Sequence, residues 1–103
     1  MKRQGRLDEA LTYYKKAIEL DPANSVILYN TGILFNIRSE YDEAVKSLEL
    51  SISKNPENVY AYLALGDTYE RQDELTKALN VYVDLKGLGI KVHGLKEKIA
   101  ALE

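Results

Sequence analysis

Carboxylates stand side by side three times along the chain, at Asp8-Glu9, Asp42-Glu43 and Asp73-Glu74. Paired carboxylates are the equipment of acid–base hydrolysis, one group protonated and the other ionised. These pairs fall early in expected helices, where a carboxylate complements the positive helix end, and that role accounts for them without chemistry. The single histidine, His93, has no cysteine and no second histidine to build a metal site or a catalytic relay. Gly87-Leu88-Gly89 is not a phosphate loop, because neither GxxxxGK nor GxGxxG occurs. Eight tyrosines could stack nucleobases, but no basic residues interleave with them. The expectation is a protein that is not an enzyme, with no catalytic residue, no metal and no cofactor.

Composition narrows the partners. The net charge is −2 with acids and bases interspersed, so the phosphate-neutralising footprint of a nucleic-acid binder is missing. Apolar runs are only a few residues long, far short of a membrane span, so no membrane insertion is expected. No apolar stretch follows MKRQGR, so no signal peptide is read there, and a cytoplasmic location is favoured. A chain of 103 residues without cysteine has length for one small domain and no disulfides.

What organises the chain is a period. Shifted by 34, Pro22 falls on Pro56, Asn24 on Asn58 and Gly32 on Gly66, while Ala10 falls on Ala44 and then on Ala78. Between these marks the apolar spacing is helical: Leu7, Ala10, Leu11, Tyr14, Ala17 and Ile18 lie on one face. Tyr41, Ala44, Val45, Leu48 and Ile52 repeat the pattern, as do Leu75, Ala78, Leu79, Tyr82 and Leu85. The spacing predicts helices near 7–20, 25–38, 40–53, 59–72, 74–86 and 92–102. Asn24, Asn58, Ser39 and Asp73 are expected N-caps, and Gly87 an expected C-cap. Gly32 and Gly66 lie inside helices and are expected to sit opposite Ala44 and Ala78, small against small.

The residues Tyr62-x2-Leu65-Gly66-x2-Tyr69, then Ala78-x3-Tyr82, resemble the tetratricopeptide repeat family. The preceding unit reads Leu28-x2-Thr31-Gly32-x2-Phe35, Ala44-x3-Leu48 and Pro56, and the first has only Ala10-x3-Tyr14, Ala17 and Pro22. Thr31, Ser51 and Ile90 depart from the pattern. The resemblance implies an all-α, right-handed α-solenoid of antiparallel helix pairs, about two and a half repeats closed by a capping helix. The expected boundaries are a half repeat at 5–24, full repeats at 25–58 and 59–90, and a cap at 91–103.

In such a stack the first helix of each repeat lines a concave wall. The wall is expected to carry Val26, Tyr29, Asn30, Ile33, Asn36 and Ile37, then Tyr60, Leu63, Ala64, Asp67, Glu70 and Arg71. One rim is apolar and the other mainly acidic, which suits a protein or peptide partner with an apolar stripe and a basic end. Chaperone-binding members of the family hold a C-terminal carboxylate with an asparagine and basic residues. Asn30 matches the asparagine, but Tyr60 and Ala64 stand at the basic positions, so that clamp is not expected to operate.

The face of Leu7, Ala10, Leu11 and Tyr14 lacks the first helix it would pack against. Three covers are open: the neighbouring repeat of a longer array, a second copy in a homodimer, or partial shielding by the final helix or the short N-terminal segment. The leading function is therefore a protein-interaction scaffold. Self-association, or service as an accessory segment of a larger enzyme, are the alternatives.

Overall fold

The computed structural model describes residues 2–103, with side chains from Gly5 onward. Six helices follow one another: α1 (Lys2–Leu20), α2 (Ser25–Ile37), α3 (Tyr41–Lys54), α4 (Val59–Arg71), α5 (Leu75–Gly87) and α6 (Leu95–Leu102). Among the described residues there is no strand. Asn24 and Asn58 cap as expected, their side chains accepting from the backbone N–H groups of Ile27 (3.1 Å) and Ala61 (3.4 Å).

Ser39 and Asp73 are not N-caps. Both take the left-handed conformation, with φ of 61°, and both close the helix before them. The Ser39 N–H donates to Asn36 O and the Glu40 N–H to Phe35 O; Asp73 and Glu74 do the same to Glu70 and Tyr69. This is the paired-bond terminus that usually places glycine where Ser39 and Asp73 stand. The N-cap positions of α3 and α5 therefore fall one residue later, at Glu40 and Glu74, without a side-chain bond. Of the acidic pairs, only Asp42-Glu43 occupies a first helical turn. Gly87 is the last residue of α5 rather than its cap, and the left-handed glycines are Gly89 and Gly94. Gly94 caps α6, so Val92 and His93 lie in the turn before it.

The helical glycines face large side chains, not small ones. A Cβ on Gly32 would come within 2.6 Å of Leu48 Cγ, and one on Gly66 would overlap the Tyr82 ring. Each glycine is a notch that receives the bulky residue of the second helix. Ala44 and Ala78, one turn away, are fully enclosed and let the helices close in. Leu48, Tyr82 and Leu85 have no exposed surface; each such side chain contributes about 1.5–3 kcal/mol of burial.

The helices form two layers. α2 packs on α3 and α4 on α5, α3 joins the pairs, and α2 also touches α4 directly. Among the described residues the backbone of α1 does not come within 8 Å of that of α3, nor α3 of α5. The inner helices are thus close and the outer ones splayed, which curves the stack with α2 and α4 on its hollow side. Two polar stitches hold the stack, one tying α2 to α3 and the α4 cap, the other tying α2 to α4. Ser25 and Ser51 hydroxyls each donate to the other's carbonyl (2.9 and 2.8 Å), and Asn58 donates to Ser25 Oγ (3.0 Å). At the other end Asn36 Nδ2 donates to Thr68 Oγ1 at 2.8 Å. Ser51, which departs from the family pattern, is therefore a satisfied buried group. Thr31 is satisfied in the same way, by Ile27 O of its own helix at 2.8 Å.

Candidate functional site

Two stripes run along the hollow side. On α2 they are Val26, Tyr29, Asn30, Ile33 and Ile37; on α4, Tyr60, Leu63, Asp67, Glu70 and Arg71. All are at least partly accessible. The opposite face of each helix carries Leu28, Thr31 and Gly32, or Tyr62, Leu65 and Gly66, into the core. Val26, Ile37 and Tyr60 are 62%, 56% and 70% exposed, and the Tyr29 and Tyr60 rings lie 6.3 Å apart, tilted. Asn36 and Ala64, expected on the wall, are buried instead. Asn36 is consumed by its bond to Thr68, and Ala64 belongs, with Leu48 and Leu65, to the buried cluster against which Tyr29 and Ile33 pack.

The rim expected to be acidic is electrically closed. Arg71 Nε donates to Asp67 Oδ2 at 2.9 Å, and that bond holds the guanidinium pKa further up. Glu70 accepts from the Tyr82 hydroxyl at 2.6 Å and pairs with Lys98 at 3.4 Å. Lys98 also lies 5.5 Å from the centre of the Tyr82 ring. Burial, and then the Glu70 carboxylate, push the Tyr82 phenol well above its ordinary range. The wall therefore offers an apolar strip beside Asp67 and Glu70, each of which has a cationic neighbour.

Helix α6 adds to this wall, which the sequence reading missed. Leu63 and Glu70 of α4 face His93, Glu97, Lys98 and Ala101 across a cleft of about 530 Å³. The signal was available: shifting Leu63, Ala64 and Asp67 by 34 once more gives Glu97, Lys98 and Ala101. Treating 92–102 purely as a cap concealed it.

At the opposite end the expected open face is displaced. Leu11 is 3% exposed, packed because α1 sits against α2. Leu7, Ala10 and Tyr14 are half-buried. The uncovered side chains are Tyr13, 71% exposed, and Leu20, 84%, with Ala17 between them. α6 does not shield them; it packs on α5 at the far end. Asp8 instead reaches Arg38 (2.9 Å), and Asp42 accepts from Gln72 in the same register (2.9 Å). The repeating aspartates thus tether each repeat to the turn of the next.

A family model described as a TPR repeat matches residues 2–36 and 32–73. The chain belongs to the tetratricopeptide repeat family. Among curated relatives, this tetratricopeptide repeat chain is 33% identical to BBSome complex member BBS4 of Bos taurus over 79 residues, 77% of this chain and 15% of that one. It is 32% identical to small glutamine-rich tetratricopeptide repeat-containing protein 2 of Saccharomyces cerevisiae over 81 residues, 76% of this chain and 23% of that one. The chain therefore spans less than a quarter of either relative. Its fold is that of the first TPR of Spaghetti (RPAP3) bound to the HSP90 peptide SRMEEVD, with TM-score 0.83 and 22% identity, covering 97% of this chain and 81% of that one. Among the described residues no cluster of three or more His, Cys, Asp or Glu could hold a metal, and no helix is long and apolar enough to cross a membrane.

Proposed function

We propose that this tetratricopeptide repeat chain is a non-enzymatic interaction module that holds a segment of another protein against the wall of α2, α4 and α6. The observation that carries this is the exposure of Val26, Ile37 and Tyr60, with Tyr29 beside them, on the helices whose other faces build the core. The core does not require large apolar residues at Val26, Ile37 and Tyr60, which are mostly exposed. Tyrosine is an effective anchor, giving much contact area with few rotors.

The partner this wall suits is an amphipathic helix or extended peptide with an apolar stripe. The pairing of Asp67 with Arg71 and of Glu70 with Lys98 lowers the net charge beside the wall's apolar strip. The RPAP3 domain binds a peptide ending in EEVD. Here Tyr60 and Ala64 stand where chaperone-binding members carry cations, which argues against a carboxylate-terminated ligand. A display library of amphipathic helices selected on this chain tests the reading. Selected peptides are expected to lose binding on Tyr60→Ala with helical circular dichroism intact, and SRMEEVD is expected not to bind. Binding that is indifferent to Tyr60 refutes it.

A second reading, self-association through α1, is favoured by the exposure of Tyr13 and Leu20.

A further inference from the structure

We infer that α1 pairs with α1 of a second copy, antiparallel across a two-fold axis level with the Tyr13–Tyr14 junction; this rests on the self-association reading and gives it a geometry. A two-fold interface must be self-complementary, and the sequence of α1 is. Residues 10–17 read Ala-Leu-Thr-Tyr-Tyr-Lys-Lys-Ala, with small residues equidistant from a central tyrosine pair. At about 100° per residue, Ala10, Tyr13, Tyr14 and Ala17 lie within roughly 50° of one direction. Leu11 and Ile18 point to the side that α2 covers, where Leu11 is buried.

The charges are arranged for the same partner. In the antiparallel pairing Ala10 meets Ala17 of the second copy, and Tyr13 lies beside the second copy's Tyr13. Arg6 then falls near the second copy's Asp21, and Lys16 near its Glu9. Each ion pair occurs twice. All four charged residues are exposed. A parallel pairing would set Arg6 on Arg6 and Lys16 on Lys16.

A head-to-tail contact with α6 of a second copy is disfavoured by the residues α6 offers. Shifting Tyr62, Gly66 and Tyr69, which α4 turns toward α5, by 34 gives Lys96, Ala100 and Glu103. All three are exposed. A lysine and a glutamate there would have to be desolvated against Tyr13 and Tyr14. The α1 stripe suits its own copy better.

The test uses the 103-residue chain, which has no cysteine of its own. Sedimentation from about 1 µM to 1 mM is expected to show a monomer–dimer equilibrium. Tyr13→Glu should weaken it at least tenfold with unchanged helicity, since Tyr13 is outside the core. Ala10→Cys chains oxidised together with Ala17→Cys chains should give the mixed disulfide. Neither alone should cross-link, because identical positions lie about 10 Å apart along the axis, beyond disulfide reach. A monomer at every concentration overturns both self-association and this geometry. A dimer that ignores Tyr13→Glu, or in which Ala17→Cys cross-links with itself, overturns the geometry and leaves self-association standing.

Discussion

At one end of the stack, the face of α1 turned away from α2 carries Ala10, Tyr13, Tyr14 and Ala17. At the other, the corresponding free face of α6 carries Lys96, Ala100 and Glu103 where α4 has Tyr62, Gly66 and Tyr69. Both helices lack a neighbour on that side within the described residues. Only α6 carries charged residues, Lys96 and Glu103, at positions where α4 has packing tyrosines, a face compatible with water. The contrast teaches that an open face is not simply a consequence of lying at an end. α6 is dressed for solvent, and α1 keeps the residues of an interface.

The sharpest way to break that contrast compares register-equivalent tyrosines. Tyr82 has no exposed surface and Tyr14 is half-buried. Tyr82→Ala is expected to destabilise by about 3–5 kcal/mol, and Tyr14→Ala by about 1 kcal/mol, in urea unfolding at dilute protein. Equal losses would mean that α1 is covered after all.

The glycine notches come next. Alanine at Gly66 or Gly32 must displace Tyr82 or Leu48, and about 1–3 kcal/mol of overpacking is expected. Gly66 should be the more sensitive, because its Cβ would overlap the rigid Tyr82 ring more deeply than one on Gly32 overlaps Leu48 Cγ. Gly5, with nothing near its Cβ direction, gives the opposite sign: Gly5→Ala should stabilise α1 by up to about 1 kcal/mol.

The covered end should also have an alkaline signature. The Tyr82 phenol is raised above its unfolded value, so the folded state favours the protonated form. Its contribution is full below the unfolded value of about 10 and is lost as pH rises from there toward the higher folded value. Stability is therefore expected to hold through neutral pH and to fall above about pH 10, with a shallower fall in Tyr82→Phe. The smallest effect belongs to the turns: Ser39→Gly and Asp73→Gly should each raise stability by about 0.5–1 kcal/mol, since glycine takes φ of 61° without strain. A Tm series across these variants checks the sign.

Much of the architecture was legible because punctuation and packing share one period. Pro22 and Pro56, Asn24 and Asn58, and the spacing of Ala44 with Leu48 and of Ala78 with Tyr82 placed the helices and most of the core. Capping was misread at Ser39 and Asp73 because a residue suited to an N-cap also tolerates the left-handed turn, and only the backbone bonds distinguish them. The wall was legible as two stripes, but burial within it was not. Asn36 looks like any surface amide until Thr68 is placed beside it, and Ala64 looks accessible until α2 lies across it. The acidic rim was legible as residues but not as pairs: Lys98 reaches Glu70 from α6, whose register the 34-residue shift gives only when that helix is read as part of the wall.

The most direct measurement is fluorescence anisotropy of a labelled helix selected on the wild-type chain, titrated with wild type, Tyr60→Ala and Tyr13→Glu. Binding to the hollow wall requires at least a tenfold loss with Tyr60→Ala and none with Tyr13→Glu. Full affinity for Tyr60→Ala, or loss with Tyr13→Glu alone, would place the partner elsewhere and contradict the account.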